Sequence, residues 1–363
     1  MSTVFLTNVC KQYDSEKNVL NNVTAEIQSG EFFVIVGPSG CGKSTLLRMI
    51  AGLISITDGE IKIDDKVVND LQPKDRNLTM VFQSYALFPF LSVWDNVAFG
   101  LKARKNLSQS EIASRVDNAL KMVDLEGLKD RKPRELSGGQ RQRVALARAV
   151  ASDAKICLMD EPLSNLDAQL RIKMRQEIYA LQRKLGLTLI YVTHDQVEAM
   201  TMADHIMVLH DSHVQQIGTP AEIYKKPANE FVASFFGVPP INILPAVKIS
   251  GKKINVNNDF QMQIKQQVPV DNFKVGIRPN EVLIEAADEL EANASIRTIE
   301  FLGDEKIVYA QMNNNNIEVA AIVPSDSQFK AFDTIKVSAG DNVLLFDNDG
   351  INITKNAEEL VNA

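Results

Sequence analysis

The eight residues Gly37-Pro38-Ser39-Gly40-Cys41-Gly42-Lys43-Ser44 fit the phosphate-cradle pattern G-x-x-x-x-G-K-[ST] without a mismatch. Glycines let the backbone bend so that its N–H groups turn inward around phosphate oxygens. A helix that starts there, with Thr45 in its first turn, adds partial positive charge at its N-terminus. Lys43 is suited to reach the β- and γ-phosphates, and the Ser44 hydroxyl to hold Mg²⁺. The same residues could form a Gly-rich turn before an ordinary helix. The flanks favour the phosphate reading, because an apolar run from Phe32 to Val36 precedes the loop and a helical pattern to Ala51 follows it. The chain therefore binds a nucleoside triphosphate.

Three further stretches carry chemistry. Leu136-Ser137-Gly138-Gly139-Gln140 opens a strong helical pattern, Arg141 to Ala149, and makes a second helix start with exposed N–H groups. Two such starts and one nucleotide suggest that the second serves a neighbouring chain. Ile156 to Met159 is a short apolar strand that ends in Asp160-Glu161. A carboxylate at a strand end beside the phosphate loop suits metal coordination through water, and the adjacent glutamate suits a general base acting on water. His194 lies just past the β-branched strand Thr188 to Val192. A single histidine is more often structural than catalytic, yet its place after a core strand matches that of Asp160. Tyr13 precedes the phosphate loop in a polar stretch; it could stack on an adenine ring or be an ordinary surface aromatic.

These residues need strand ends and helix starts to hold them. Val4 to Leu6, Val23 to Ile27, Phe32 to Val36, Ile61 to Ile63 and Lys66 to Val68 read as strands, with a turn at Asp64-Asp65. Thr79 to Phe82 reads as a strand ending at Gln83. Residues 86–135 read as a helical insertion, with a capping box Ser108-x-x-Glu111. Asp167 starts a helix that Gly186 stops. Asp195-x-x-Glu198 reads as the cap of the next helix, and Thr219-Pro220-x-Glu222 as another helix start. Near Gly237-Val238-Pro239-Pro240 the texture changes to short alternating strands, among them Lys253 to Val256, Phe273 to Ile277, Lys306 to Ala310 and Val343 to Phe346. The expected architecture is an α/β P-loop ATPase core with a helical subdomain over residues 1–236, then an all-β, OB-like barrel domain over 237–363.

Composition narrows the function classes. Residues 237–363 carry 11 Lys and Arg against 18 Asp and Glu, so the whole net charge of −7 lies in that part. Neither part has the basic excess of a nucleic-acid binder, so no nucleic-acid partner is expected. No stretch approaches the roughly 18 consecutive apolar residues of a membrane span, and the N-terminus lacks the pattern of a secretion signal. Cys10, Cys41 and Cys157 are too widely spaced for a disulfide framework or zinc site and read as small buried apolar residues. A reducing cytoplasm fits.

The phosphate loop, Gln83, Leu136 to Gln140, Asp160-Glu161, Asp167 and His194 occur in the order and spacing of ABC ATPases. Thr193-His194-Asp195-Gln196-Val197-Glu198-Ala199-Met200 and Phe231-Val232-Ala233-Ser234-Phe235-Phe236-Gly237 resemble the subunits that power import of maltose, other oligosaccharides and glycerol phosphate. Gly276-Ile277-Arg278-Pro279 resembles their appended β domain. The resemblance implies that Tyr13 stacks on adenine, that residues 37–45 bind the phosphates, and that Ser44 and Gln83 contact Mg²⁺ with Asp160 acting through water. It implies Glu161 as the base for the attacking water and His194 as the γ-phosphate sensor, with Ser137 to Gln140 completing the site of the opposite protomer. It also implies a homodimer with two ATP molecules, peripheral on the cytoplasmic face of the plasma membrane. Two transmembrane permease subunits would meet Gln83 and Ala86 to Phe90, an external solute-binding protein would act indirectly, and a cytoplasmic regulator would dock on the C-terminal domain. The stretch Gln83-Ser84-Tyr85-Ala86-Leu87-Phe88-Pro89 leans towards polyamine-type importers, the alternative to a sugar or glycerol-phosphate solute. A soluble, non-transport ABC ATPase is a more distant alternative.

Overall fold

The computed structural model describes residues 2–13, 18–103, 107–268 and 270–354. The chain divides into two compact units between Pro220 and Ala221, ahead of the texture change at 237. The reason is Arg278, which is buried and donates to the carbonyls of Tyr224, Ala233 and Phe236 at 2.9, 2.9 and 2.6 Å. Residues 221–236 are thereby tied to the β-rich part.

The first unit holds two sheets. Strands β1 (Val4–Gln12), β2 (Asn18–Ile27), β4 (Asp58–Ile63) and β5 (Lys66–Val67) form an antiparallel sheet in the order β2-β1-β4-β5. Strands β3 (Phe32–Val36), β6 (Leu78–Val81), β7 (Ile156–Asp160), β8 (Thr188–Thr193), β9 (His205–His210) and β10 (His213–Gly218) form the central sheet, ordered β10-β9-β3-β8-β7-β6. All but β10 run parallel. Every residue of β3, β7 and β8 is buried, which is why these strands are continuous apolar runs rather than alternating ones. A core that includes Leu6, Ile27, Phe33, Ile35, Leu47 and Ile190 joins both sheets to helix α1 (Lys43–Ile50). Each such side chain, fully buried, contributes roughly 1.5–3 kcal/mol.

Helices α2 (Val93–Ala103), α3 (Gln109–Met122) and α4 (Gly138–Ala151) pack on one another. The expected helical stretch from 86 begins at 93; Tyr85 and Ala86 have positive φ (63° and 46°), which no right-handed helix accommodates. The Ser108/Glu111 capping box of α3 is present. Helix α5 (Ala168–Leu185) is capped by Asp167 and ends at the left-handed Gly186, and α6 (Gln196–Met202) is capped by Asp195. Cys41 and Cys157 are buried as expected, whereas Cys10 is half-buried and bonds to Asn22; all three are free thiols.

In the second unit, α7 (Pro220–Lys225, starting on the last residue of the first unit) and α8 (Glu230–Phe235) precede ten strands among the described residues. One antiparallel sheet has β11 (Asn242–Ser250), β12 (Lys253–Val256), β13 (Phe260–Gln263), β14 (Asn272–Ile277) and β20 (Leu344–Phe346). The other has β15 (Val282–Ala286), β16 (Ala294–Phe301), β17 (Glu305–Met312), β18 (Glu318–Pro324) and β19 (Thr334–Ala339). Their apolar faces share one core. Buried Asn242 links them, donating to the Ile277 and Ala320 carbonyls at 3.0 and 2.9 Å and accepting from the Ala320 N–H at 2.7 Å.

Candidate nucleotide-binding and hydrolysis site

The site is built on the C-terminal ends of parallel strands, where open α/β sheets place ligands. Between β3 and α1 the chain turns through Gly37, Gly40 and Gly42, all at positive φ. At Gly37 a Cβ would sit 2.1 Å from the Leu209 carbonyl oxygen, and at Gly42 one would sit 2.7 Å from Leu20. Only glycine fits either position. Gly42 caps α1 with no side-chain hydrogen bond, so the first-turn N–H groups are left for a ligand. The Lys43 ammonium donates to the Gly37 and Pro38 carbonyls, both at 2.8 Å. Burial pushes the neighbouring Cys41 thiol up, and Lys43 partly offsets that. The far end of α1 is held by Arg76, whose Nη1 donates to the Met49 and Ile50 carbonyls at 2.8 and 3.0 Å.

Asp160 ends β7 and accepts the Ser44 hydroxyl at 2.7 Å, with Arg48 3.8 Å from its other oxygen. The next residue, Glu161, adopts a left-handed φ of 45°, a conformation non-glycine residues hold only when surroundings enforce it. Its N–H donates to the Val192 carbonyl at 3.0 Å, and its own carbonyl accepts the Ser164 hydroxyl at 2.9 Å. This turn sends the two adjacent carboxylates to different partners. Asp160 meets Ser44, and Glu161 Oε2 lies 3.1 Å from Nδ1 of His194. Lys43, Ser44, Asp160, Glu161 and His194 thus gather at the ends of β3, β7 and β8. Gln83 joins through the turn after Glu161: its Nε2 donates to Ser164 Oγ at 3.3 Å, and its carbonyl accepts from Asn165 at 3.1 Å.

Ser137, Gly138, Gly139 and Gln140 stand on a different element, the start of α4. Ser137 Oγ accepts the Gln140 N–H at 3.3 Å, and Gln140 Oε1 accepts the Ser137 N–H at 2.9 Å. Two backbone donors of this start are therefore used within it. A Cβ at Gly139 would lie 2.9 Å from Leu170. Tyr13 is exposed at the end of β1, with the Lys11 ammonium 4.9 Å from its ring centre. A cleft of about 340 Å³ is lined by Asn18, Val19, Pro38 to Cys41 and His210 to Ser212.

Glu198 departs from expectation. Asp195 alone caps α6, accepting from the Val197 and Glu198 N–H groups. The Glu198 carboxylate instead turns inward and accepts the hydroxyls of Tyr191 and Thr193 at 2.8 and 2.7 Å. Burial holds its pKa above the usual carboxylate value. Asn96 was also outside the sequence reading. It is fully buried, donates to the Phe88, Leu91 and Ser92 carbonyls, and accepts the Phe88 N–H at 2.8 Å. A lone polar residue on the apolar face of α2 was the available signal. Arg148 adds a bond to the Ala86 carbonyl at 2.7 Å. Together they shape the 83–92 loop, beside a groove of about 280 Å³ lined in part by Met80, Phe88, Phe99 and Arg148.

Residues 20–164 match the family model "ABC transporter". The chain is 46% identical to an sn-glycerol-3-phosphate import ATP-binding protein UgpC of Cupriavidus necator, over 95% of this chain and 97% of the relative. It is 48% identical to a UgpC of Bordetella bronchiseptica, over 88% of each. Among solved structures, the dimeric post-hydrolysis ATP-binding cassette MJ0796 bound to ADP and Pi is 37% identical with a TM-score of 0.54, covering 60% of this chain and 98% of that one. A cbiO1 from Clostridium perfringens, part of the cbiONQ transporter complex, is 32% identical with a TM-score of 0.56, covering 61% and 89%. The chain belongs to the ABC transporter family. Within that family it is an import ATP-binding subunit that hydrolyses ATP.

Proposed function

We propose that this subunit powers uptake of sn-glycerol 3-phosphate or a closely related polyol or sugar phosphate, with Glu161 activating the water that attacks the γ-phosphate. The observation that carries the mechanism is the Glu161–His194 contact beside the phosphate loop. The Glu161 carboxylate accepts a proton from water, and His194 both orients that carboxylate and meets the γ-phosphate. Residues 37–45, through loop and first-turn amides and the Lys43 ammonium, bind the phosphates. Tyr13 provides the adenine-stacking surface. The solute assignment rests on the UgpC relatives, whose names give import of sn-glycerol 3-phosphate rather than of a polyamine.

The Ser44 hydroxyl, the Asp160 carboxylate and the Gln83 amide offer hard oxygen donors, and the 2.7 Å Ser44–Asp160 bond puts two of them together. That donor set fits Mg²⁺, which keeps several waters and takes few protein ligands. Mg²⁺ held there would neutralise phosphate charge in the transition state.

Two copies would assemble head to tail, so that Ser137 to Gln140 of one protomer closes over the ATP of the other. The dimeric MJ0796 relative supports this reading. The groove beside the 83–92 loop, with Phe90 86% exposed, is the surface we assign to two membrane permease subunits. An external binding protein would select the solute. The β-rich unit, read as an OB-like regulatory domain, would receive a cytoplasmic regulator. The protein would then sit peripherally on the cytoplasmic face of the plasma membrane; no helix among the described residues is long and apolar enough to cross one.

The deciding experiment is uptake of labelled sn-glycerol 3-phosphate in cells lacking the gene, complemented with wild type or Glu161→Gln. Uptake restored by wild type alone supports the reading. Unchanged uptake of that solute in the deletion strain, with loss of another, would overturn the solute assignment.

A further inference from the structure

Arg171 stands in the first turn of α5, and its guanidinium touches two turns that follow different strands. Nη2 donates to the Leu166 carbonyl at 3.2 Å, and Nη1 lies 3.4 Å from Oδ2 of Asp195. Each contact adjoins the site. Leu166 directly follows Ser164 and Asn165, whose side chains hold Gln83. Asp195 directly follows His194. The Arg171 side chain is 33% exposed, so solvent competes with these contacts only in part.

Asp195 divides its carboxylate between two tasks. Oδ1 accepts the Val197 and Glu198 N–H groups at 2.8 and 3.1 Å, and Oδ2 faces Arg171. Its own N–H donates to Thr193 Oγ1 at 3.0 Å, and Thr193 donates in turn to Glu198. The turn carrying His194 is thus fixed from below by Glu198 and from the side by Arg171.

We infer that Arg171 is a positioning residue for ATP hydrolysis, joining the turn that holds Gln83 to the turn that carries His194. It touches no reacting atom. Its planar fork presents donors in two directions at once, which a lysine ammonium on a flexible stem does not reproduce. A shift of Gln83 passes through Ser164 and Asn165 into the Leu166 carbonyl, then through Arg171 to Asp195. There it changes the geometry of the His194–Glu161 contact. The inference rests on the proposed roles of Gln83 and His194.

The test is steady-state ATP hydrolysis by the full chain, with kcat and KM resolved separately and thermal unfolding followed in parallel. The variants are His194→Ala, Gln83→Ala, Arg171→Met, Asp195→Asn and the doubles Arg171→Met/Asp195→Asn and Arg171→Met/Gln83→Ala. Asp195→Asn keeps an oxygen to cap α6 and loses the charge that faces Arg171. Arg171→Met and Asp195→Asn should each lower kcat about tenfold with KM for ATP within about twofold. The Arg171/Asp195 double should be no slower than its slower parent, and the Arg171/Gln83 double should lose less than the product of its singles. Should Arg171→Met unfold at lower temperature, Asp195→Asn alone decides. Wild-type kcat in Asp195→Asn, or multiplying losses in either double, would overturn the inference while His194→Ala is inactive. Wild-type turnover in His194→Ala would instead remove the proposed mechanism, and this inference with it.

Discussion

His194 Nδ1 lies 3.1 Å from Glu161 Oε2, although the two residues directly follow different strands, β8 and β7. The contact exists because Glu161 takes a left-handed turn that Val192 and Ser164 hold in place. The carboxylate that we propose as the base is therefore held in place before substrate arrives. Replacing Glu161 with Gln keeps shape and hydrogen bonding but removes basicity. Turnover should fall by at least about 100-fold while ATP affinity stays near wild type, as measured by single-turnover hydrolysis and equilibrium nucleotide binding. Brisk turnover in this variant would assign the base elsewhere.

Lys43→Ala should weaken ATP binding by about 10- to 100-fold, because a charge-assisted contact to phosphate is lost. Isothermal titration with a non-hydrolysable ATP analogue checks this. Unchanged affinity would detach Lys43 from the phosphates.

Asn96→Ala should lower unfolding free energy by about 2 kcal/mol, since it removes the buried amide that ties Phe88, Leu91 and Ser92 together and takes the Asn96 partner from the Phe88 N–H and the Leu91 carbonyl. Denaturant titration reads the loss. Isolated ATPase activity should change less than ATP-driven uptake by the assembled transporter, because Asn96 shapes the loop assigned to the permease. Equal losses in both would place its effect in the fold alone.

Glu198 gives a pH signature. Its folded pKa is raised above the ordinary 4.5, first by desolvation, with Asp195 adding to the rise and Thr193, Tyr191 and Arg171 opposing it. A raised carboxyl pKa means that the folded state holds its proton more tightly than the unfolded chain. This contribution is full below the unfolded pKa and is lost as pH rises through the folded one. Glu198→Gln retains an oxygen for the Tyr191 and Thr193 hydroxyls and does not titrate. The melting temperature of the variant relative to wild type should therefore rise from pH 4 upwards until Glu198 is ionised. A pH-independent difference would refute the raised pKa.

Much of the site was legible because its chemistry is local. The glycines, Lys43 and Ser44 form one loop, and Ser137 with the two glycines after it reads as a helix start, although its Ser137–Gln140 capping box emerged only in the structure. Asp160, Glu161 and His194 were legible from position, since each closes an apolar run. What brings them together was not, because the φ of Glu161 and the pairing of β7 with β8 have no sequence signature. Arg171 and Asn96 escaped for a related reason: each holds main-chain carbonyls, which carry no residue identity. Glu198 was misread because a glutamate three residues past an aspartate satisfies a capping pattern, while two hydroxyls on β8 offer its carboxylate a buried alternative. The unit boundary at 220 likewise depends on Arg278, more than forty residues downstream of the carbonyls it binds.

Lys43 has one last implication. Its ammonium is satisfied by the carbonyls of Gly37 and Pro38, so the curvature of the loop is self-supporting. With Lys43 in its proposed role, nucleotide capture would be an exchange of partners rather than an act of folding, and little ordering entropy would oppose it. The uncapped first-turn amides of α1 should exchange quickly without nucleotide and become protected when it binds, and the on-rate should approach that of a rigid receptor.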